Sequence, residues 1–349
     1  MKRIYCLHPR CWDVSSFLEF INMKGQIDEE LIWDEENPEI LFATELINFQ
    51  LKYYNKFCKL YPKVQIKVMF GREAVEPDFN FFDYAVGFDD NLIFGDRFIR
   101  LVPPQELWPN FIFNRENDIK TKEEALQELK NKKGFCNFLY SNPNAHPMRD
   151  QLFYAISKYK RVDSLGKHLN NVNRKGTGWG GHAHECKDIK SMYKFSIAAE
   201  NAAYPGYTSE KLFTSLEVHT VPIYFGNPHI GDDVNVKSFI SANDFTTLDE
   251  LVAYIQKVDE DDDLWASYVC QPWLNSEHLI NNQKRIEQYR QSMKKIFENP
   301  INSTKRLSVG FHVSYYREHM FKRKSILAWD KSMLPDWVHK GASLLRKII

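Results

Sequence analysis

Short apolar runs bounded by turn residues recur through the first third of the chain, at Ile4–Leu7, Ile40–Ala43, Val64–Phe70, Asp83–Phe88 and Phe98–Val102. They have the length of buried strands. Between two of them, Thr44–Lys59 repeats its apolar positions at helical spacing. Buried strands alternating with helices predict a parallel sheet covered on both faces, hence an α/β unit. From Leu107 to Lys133 the chain turns polar and charged, which predicts a crossing segment with a helix and puts a boundary near residues 115–133. A second rhythm follows. Gly134–Tyr140 predicts a strand, Ser141-Asn-Pro-Asn a turn, and Arg149–Tyr159 a helix. Strands Tyr193–Ala198 and Val221–Phe225 flank a helix beginning near Ser209, with further helices over Leu248–Val258 and roughly Asp263–Phe297. The expected architecture is α/β, two Rossmann-like domains over 1–125 and 126–320 with a tail over 321–349. Ligands are expected at the carboxyl ends of the parallel strands, in a central cleft.

Length and composition narrow the class. A chain of 349 residues suits two cores rather than one. Lys plus Arg and Asp plus Glu both number 46, so no basic surplus points to nucleic acid. The aromatic share of 14% is high, but large rings mostly serve burial, so it does not itself indicate sugar or base stacking. Six scattered cysteines without a CxxC pair predict neither a disulfide framework nor a zinc ribbon and favour a reducing compartment. Met1-Lys-Arg-Ile-Tyr-Cys-Leu-His leads into no apolar stretch near the ~18 residues a membrane span needs, so neither secretion nor an N-terminal anchor is expected.

Chemistry concentrates in Tyr193-Lys-Phe-Ser-Ile-Ala-Ala-Glu200-Asn201-Ala-Ala-Tyr-Pro-Gly-Tyr207-Thr-Ser209-Glu210-Lys211-Leu-Phe, followed by Val221-Pro-Ile-Tyr-Phe-Gly226. An apolar strand ends in two polar residues, a Pro-Gly turn follows, and Ser209 caps a helix. The first turn of such a helix favours an anion, and Lys211 there is mildly unfavourable without one to meet. Glu210 beside it could accept from ribose hydroxyls. The residues alone equally describe an ordinary capped helix carrying a solvated Glu–Lys pair.

The order and length of this run resemble the signature of the α-1,3/1,4-fucosyltransferases, glycosyltransferase family 10, in its bacterial type. Looser similarity extends over Gly71–Arg100 and Phe135–Phe245. The resemblance implies a GT-B fold and an inverting enzyme that moves L-fucose from GDP-β-L-fucose to O3 of GlcNAc in N-acetyllactosamine-type glycans, giving Lewis-type structures. It implies that Asn201, Tyr207, Glu210 and Lys211 hold the nucleotide sugar, with Glu210 on the ribose and Lys211 on the diphosphate. Arg149, after the Ser141-Asn142 turn, is the implied second cation there, its fork suited to phosphate. Val162-Asp163-Ser-Leu-Gly166 resembles a family stretch read as a strand end and loop shaping the donor site. The implied base is Glu73, in the loop Gly71–Tyr84, with Glu76 as the nearby alternative. This chain has Arg72-Glu73 where bacterial relatives often have Gly-Glu.

No cofactor is implied beyond the donor, with stimulation by a divalent cation such as Mn2+ left open. Two candidate metal sequences are read otherwise. Asp259–Asp263 is taken as a solvated turn, and His182-Ala-His184-Glu-Cys186 as part of a variable, mobile loop Arg174–Glu185. The tail Phe321–Ile349 gathers Lys322, Arg323, Lys324, Lys331, Lys340, Arg346 and Lys347, with Trp337, Val338, Leu344, Leu345, Ile348 and Ile349 among the last of them. It reads either as an interfacial helix, giving a cytoplasmic protein peripheral on the inner membrane face, or as a terminal helix docked on the domains. A GT-B transferase using another nucleotide sugar and a non-catalytic glycan-binding relative remain open as alternatives.

Overall fold

The computed structural model describes residues 1–7, 14–21, 27–44, 47, 51–71, 73–79, 81–93, 95–101, 117–172 and 183–298. By its internal contacts the chain divides into two compact units. The first is Met1–Gly87 with Phe94–Ile99 and Gln288–Ile349; the second is Phe88–Ile93 with Arg100–Glu287.

The first unit carries a six-stranded sheet of β1 (Lys2–Leu7), β2 (Leu31–Trp33), β3 (Ile40–Thr44), β4 (Ile66–Phe70), β5 (Tyr84–Gly87) and β6 (Phe98–Arg100), in the order β2-β1-β3-β4-β5-β6. Pairs from β2 to β5 are parallel. All residues of β3, β4 and β5 are buried, as the unbroken apolar runs require of a sheet covered on both faces. Among the described residues this unit has helices α1 (Val14–Ile21) and α2 (Leu51–Leu60), together with the end, from Gln288, of the chain's last described helix. The helix expected over Thr44–Lys59 is therefore shorter, because Thr44 still belongs to β3.

The second unit carries five strands, β7 (Gly134–Phe138), β8 (Val162–Ser164), β9 (Tyr193–Ala199), β10 (Val221–Phe225) and β11 (Ile240–Ser241), ordered β11-β10-β9-β7-β8 and parallel throughout. Around them lie α3 (Lys122–Leu129), α4 (Met148–Tyr159), α5 (Ala183–Ser191), α6 (Glu210–Leu216), α7 (Leu248–Glu260), α8 (Asp262–Val269) and α9 (Ser276–Glu298). Central β9 is almost wholly buried, and Trp265 of α8 fills the core while its indole N–H donates to the Lys194 carbonyl at 3.1 Å. The single helix expected over Asp263–Phe297 is two, α8 and α9, parted at Pro272, which has no N–H to continue the ladder. The loop expected over Arg174–Glu185 ends earlier, since Ala183 already starts α5; residues 173–182 and the tail 321–349 lie outside the described residues. Among the described residues no helix is long and apolar enough to cross a membrane.

Asp233 anchors the second unit. Its carboxylate, 1% exposed, accepts from Arg100 at 2.6 and 3.1 Å and from Arg285 of α9 at 2.7 Å. Arg100 Nε also donates to the Phe88 carbonyl at 3.0 Å, tying in the segment after β5. Removing one member of such a buried set strands the others' charge. Asp233→Ala is expected to lower stability by about 3 kcal/mol in urea unfolding, whereas exposed Asp249→Ala should change it by less than about 0.5 kcal/mol.

Candidate functional site

The carboxyl end of β9 runs directly into Glu200 and Asn201, and Ser209 then caps α6. Glu200 is completely buried. Its Oε1 accepts the Ser209 N–H at 2.7 Å, and its Oε2 accepts the Ser209 hydroxyl at 2.6 Å and the Lys211 ammonium at 3.2 Å. Lys211 donates to Ser209 Oγ as well, at 2.8 Å. The second carboxylate near it, Glu210, is 3.8 Å away and half exposed. Burial alone would lower the Lys211 pKa, but Glu200 and then Glu210 more than offset it and hold the amine charged, well above its usual value. Burial raises the Glu200 carboxyl, with Lys211 and Ser209 pulling the other way. The cation at the helix start is thus met from within the fold, by a carboxylate that the sequence reading gave no role. The solvated Glu–Lys pair that the residues alone allowed is replaced by a buried one.

Gly226 explains the end of the signature. A Cβ there would lie 2.5 Å from Glu200 Cγ and 2.9 Å from the Tyr224 hydroxyl, so only glycine lets the Glu200 side chain cross the end of β10. The backbone joins the same strands, with Glu200 N–H donating to the Phe225 carbonyl at 2.7 Å. Gly206, at φ +81°, turns the chain before Tyr207 where a Cβ would strike the Phe88 carbonyl at 2.2 Å.

Arg149 lies on the core-facing stripe of α4 with Leu152, Phe153 and Ile156, and its side chain is 1% exposed. One guanidinium nitrogen donates to Asn201 Oδ1 at 3.2 Å and another to the Asn142 carbonyl. The plane stacks 4.6 Å from the Tyr140 ring centroid. The Tyr140 hydroxyl in turn donates to carbonyls of Ile197 or Ala199, at 2.9 and 3.0 Å, and accepts the Ala199 N–H at 2.7 Å. Arg149 therefore meets the end of β9 through both Asn201 and Tyr140. Asp150 stands 3.8 Å from Nε, which has no hydrogen-bond partner among the described residues. Gly166 supports the platform: a Cβ there would lie 1.9 Å from the Tyr140 carbonyl oxygen, and His168 N–H bonds that oxygen at 2.9 Å.

The structure thus brings Arg149, Asn201 and Lys211 to one end of β9, with Glu210 at the exposed edge. The Lys211 charge holds the Glu210 carboxyl below its usual range, overcoming the opposing effect of burial. Tyr207 is buried, its ring edge-on to Phe88 at 5.1 Å. Glu73 follows β4 in the first unit, half-buried, while exposed Glu76 lies further along that loop. Asp259–Asp263 is exposed from Glu260 onward but joins two helices rather than forming a turn: Asp259, in the last turn of α7, is bound to Lys160 at 2.8 Å and Lys194 at 3.2 Å, and Asp261 caps α8. Among the described residues, Asp90, His229 and Asp232 bring three ligand-type atoms within 4.8 Å of one another, two of them joined as an ion pair at 2.9 Å.

Two parallel-sheet units, the second with Arg149 and Lys211 gathered at the end of β9, define a two-domain α/β protein. Known structures share this architecture. A crystal structure of an α1,3-fucosyltransferase with GDP superposes with a TM-score of 0.63 at 24% identity, covering 84% of this chain and 90% of that one. The same enzyme class with GDP-fucose superposes at 0.61. The fold is GT-B. Residues 129–303 match the C-terminal domain of glycosyltransferase family 10 (fucosyltransferase), and residues 26–110 match the N-terminal domain of the α-(1,3)-fucosyltransferase FucT, so the chain belongs to family 10. It is 32% identical over 216 residues to the α-(1,3)-fucosyltransferase FucT of Helicobacter pylori, covering 54% of this chain and 43% of that protein. It is 36% identical over 155 residues to α-(1,3)-fucosyltransferase B of Drosophila melanogaster, covering 43% of this chain and 35% of that one. It is also 33% identical over 150 residues to the human GDP-fucose protein O-fucosyltransferase 3, covering 41% of this chain and 31% of that one. The chain therefore spans less than half the length of these relatives.

One more buried cation lies behind α6. Lys190 of α5 donates to the Lys211 carbonyl at 3.1 Å and to the hydroxyls of Thr214 at 2.7 Å and Ser215 at 3.0 Å. Burial lowers its pKa from 10.5 to about 8. Below pH 8 both folded and unfolded chains hold this proton, and burial of the charge costs stability in full. Between pH 8 and 10.5 the unfolded chain holds more of it, so the cost falls as pH rises. Wild type should therefore gain stability relative to Lys190→Met, by about 1–2 kcal/mol between pH 7.5 and 9.5 in urea unfolding. A constant difference across that range would show that Lys190 does not titrate there.

Proposed function

We propose that the protein is an inverting fucosyltransferase that transfers L-fucose from GDP-β-L-fucose to a glycan hydroxyl. The observation that carries this reading is Arg149: a fully buried guanidinium with one unpartnered N–H, beside Asn201 and at the same strand end as Lys211. Such a charge is expensive to bury unless a ligand completes it, and a diphosphate has the matching charge and oxygens. Relatives named as α-(1,3)-fucosyltransferases and one named as a GDP-fucose protein O-fucosyltransferase match this chain at similar identity, and their names share fucose.

In the proposed reaction an acceptor oxygen attacks the anomeric carbon of fucose from the face opposite the β-phosphate. The carbon–oxygen bond to that phosphate breaks, and GDP departs with the electron pair. The acceptor proton passes to the Glu73 carboxylate, with Glu76 as the alternative base. Arg149 and Lys211 receive the charge developing on the diphosphate, Glu210 takes the ribose, and Asn201 and Tyr207 complete the donor site. The finer acceptor reading is O3 of GlcNAc in N-acetyllactosamine-type chains, yielding Lewis-type products. A divalent cation such as Mn2+ enters as a stimulant, with no step routed through it. Its location on this reading is cytoplasmic, with the basic, apolar-studded tail 321–349 against the anionic inner face of a membrane.

Three variants test the scheme with GDP-fucose and type 1 and type 2 acceptor disaccharides, products being read by mass spectrometry. Arg149→Ala and Lys211→Ala should each cut turnover by about 10²–10³-fold while the fold persists. Full activity in both overturns the donor assignment. Glu73→Gln should lose turnover yet keep the thermal stabilisation by GDP; unchanged turnover removes Glu73 as the base. A wild type that GDP does not stabilise points to another nucleotide sugar.

A further inference from the structure

The inference rests on the donor reading above and concerns how Lys211 is made fit for it. A lysine amine sits on four rotatable carbons and presents three N–H donors. Left to itself, it is a mobile point charge. Here two of the three are taken inside the protein, one by Glu200 Oε2 at 3.2 Å and one by Ser209 Oγ at 2.8 Å. With those two acceptors fixed, the direction of the third N–H is fixed as well, and the side chain keeps 17% exposure through which a ligand can reach it.

Glu200 is in turn immobile. Both of its oxygens are occupied by Ser209, through the backbone N–H and the hydroxyl, and Gly226 confines its methylenes against the end of β10. Burying a carboxylate costs several kcal/mol unless it is paired and fully bonded. An apolar residue at this position would avoid that cost and leave Lys211 unheld. We propose that Glu200 is a positioning residue for fucosyl transfer, fixing the place, the direction and the charge of the Lys211 ammonium at the donor diphosphate. It touches no substrate atom in this role and acts through Lys211 alone.

The groups that act on the Lys211 charge are Glu200 and Tyr207, Glu210 on α6 and Tyr140 beyond β7, while Lys190 of α5 bonds its carbonyl. Of these, Glu200 is the largest influence favouring the charged amine, against a burial that disfavours it. Two consequences follow for Glu200→Gln, which preserves shape and can still accept the Ser209 N–H. First, kcat should fall about 10–100-fold. KM for GDP-fucose should stay within about 3-fold, because a negative charge leaves the site as its positioning is lost. Second, the alkaline limb of kcat/KM should move down relative to wild type, since the amine now deprotonates more easily.

A purely structural role for Glu200 would lower activity through lost folded protein and leave the alkaline limb in place, so an unmoved limb, or an unchanged kcat, overturns the proposal. Should Glu200→Gln fail to fold, Glu200→Asp keeps the charge and withdraws it by one methylene. It should retain the wild-type limb and lose kcat, and a wild-type kcat overturns the proposal. Lys211→Met separates this inference from the reading beneath it. If Lys211→Met transfers fucose normally, the donor assignment itself fails. If Lys211→Met is inactive while Glu200→Gln behaves as wild type, only the role of Glu200 fails.

Discussion

A buried carboxylate and a partly buried ammonium, sharing one serine hydroxyl, join the second unit's strand ends at the place of the proposed donor site. Glu200 has no exposure at all, so its charge is tolerable only because Ser209 and Lys211 satisfy both oxygens. Those partners come from the cap and first turn of α6, while the carboxylate itself comes from the end of β9 and is wedged by Gly226 at the end of β10. Three elements are thereby held in one geometry by a handful of atoms. Arg149 reaches the same strand end from α4 through Asn201 and the Tyr140 ring. The Tyr140 backbone is in turn gripped by the Gly166 turn. Stability and ligand binding are coupled here, since loosening any one support frees a buried charge.

Much of this was legible in the sequence, for identifiable reasons. Short, mostly apolar runs mark strands buried on both faces, and the expected limits of β3, β4, β9 and β10 lie within a residue or two of those observed, although β4 carries Lys67 and β9 carries Lys194 and Ser196. Short edge strands such as β2 and β11 left no trace, since two or three residues set no period. Helix bounds failed where tertiary demands override spacing, as at Thr44, which pairs in a sheet, and at Pro272, which divides α8 from α9. Polar residues taken for solvated turns proved instead to be caps and ion-pair partners, as at Asp259 and Asp261, because what pairs with them comes from distant parts of the chain. Glu200 was quoted within the signature and given no task. Its signal was available: a glutamate that directly continues the apolar end Ile197-Ala-Ala199 of a central strand is placed for burial, and a buried carboxylate needs a cation. Arg149 carried a comparable mark, falling on the apolar stripe of α4 with Leu152, Phe153 and Ile156.

The contrast between the two halves of the proposed reaction has the same physical origin. Holding a diphosphate takes buried charge, and buried charge constrains many neighbours at once: a cap, a glycine that clears a side chain, a tyrosine platform, a matched counter-ion. Each constraint fixes a residue type at a fixed spacing, so the donor site is written across a long ordered run. On the proposed reading, taking a proton from an acceptor hydroxyl asks for one carboxylate on a loop, and Glu73, half-buried after β4, is the candidate for it. Recognition of the acceptor is more permissive still, since a hydroxyl on a glycan and one on a protein can be presented to the same donor. Relatives named for an α-(1,3) linkage and for protein O-fucosylation match this chain at similar identity. A family built this way can exchange acceptors by changing loops while the network around Glu200, Lys211 and Arg149 stays as it is. Selection on that network would act through the cost of an unpaired charge in the fold, whichever hydroxyl receives the sugar.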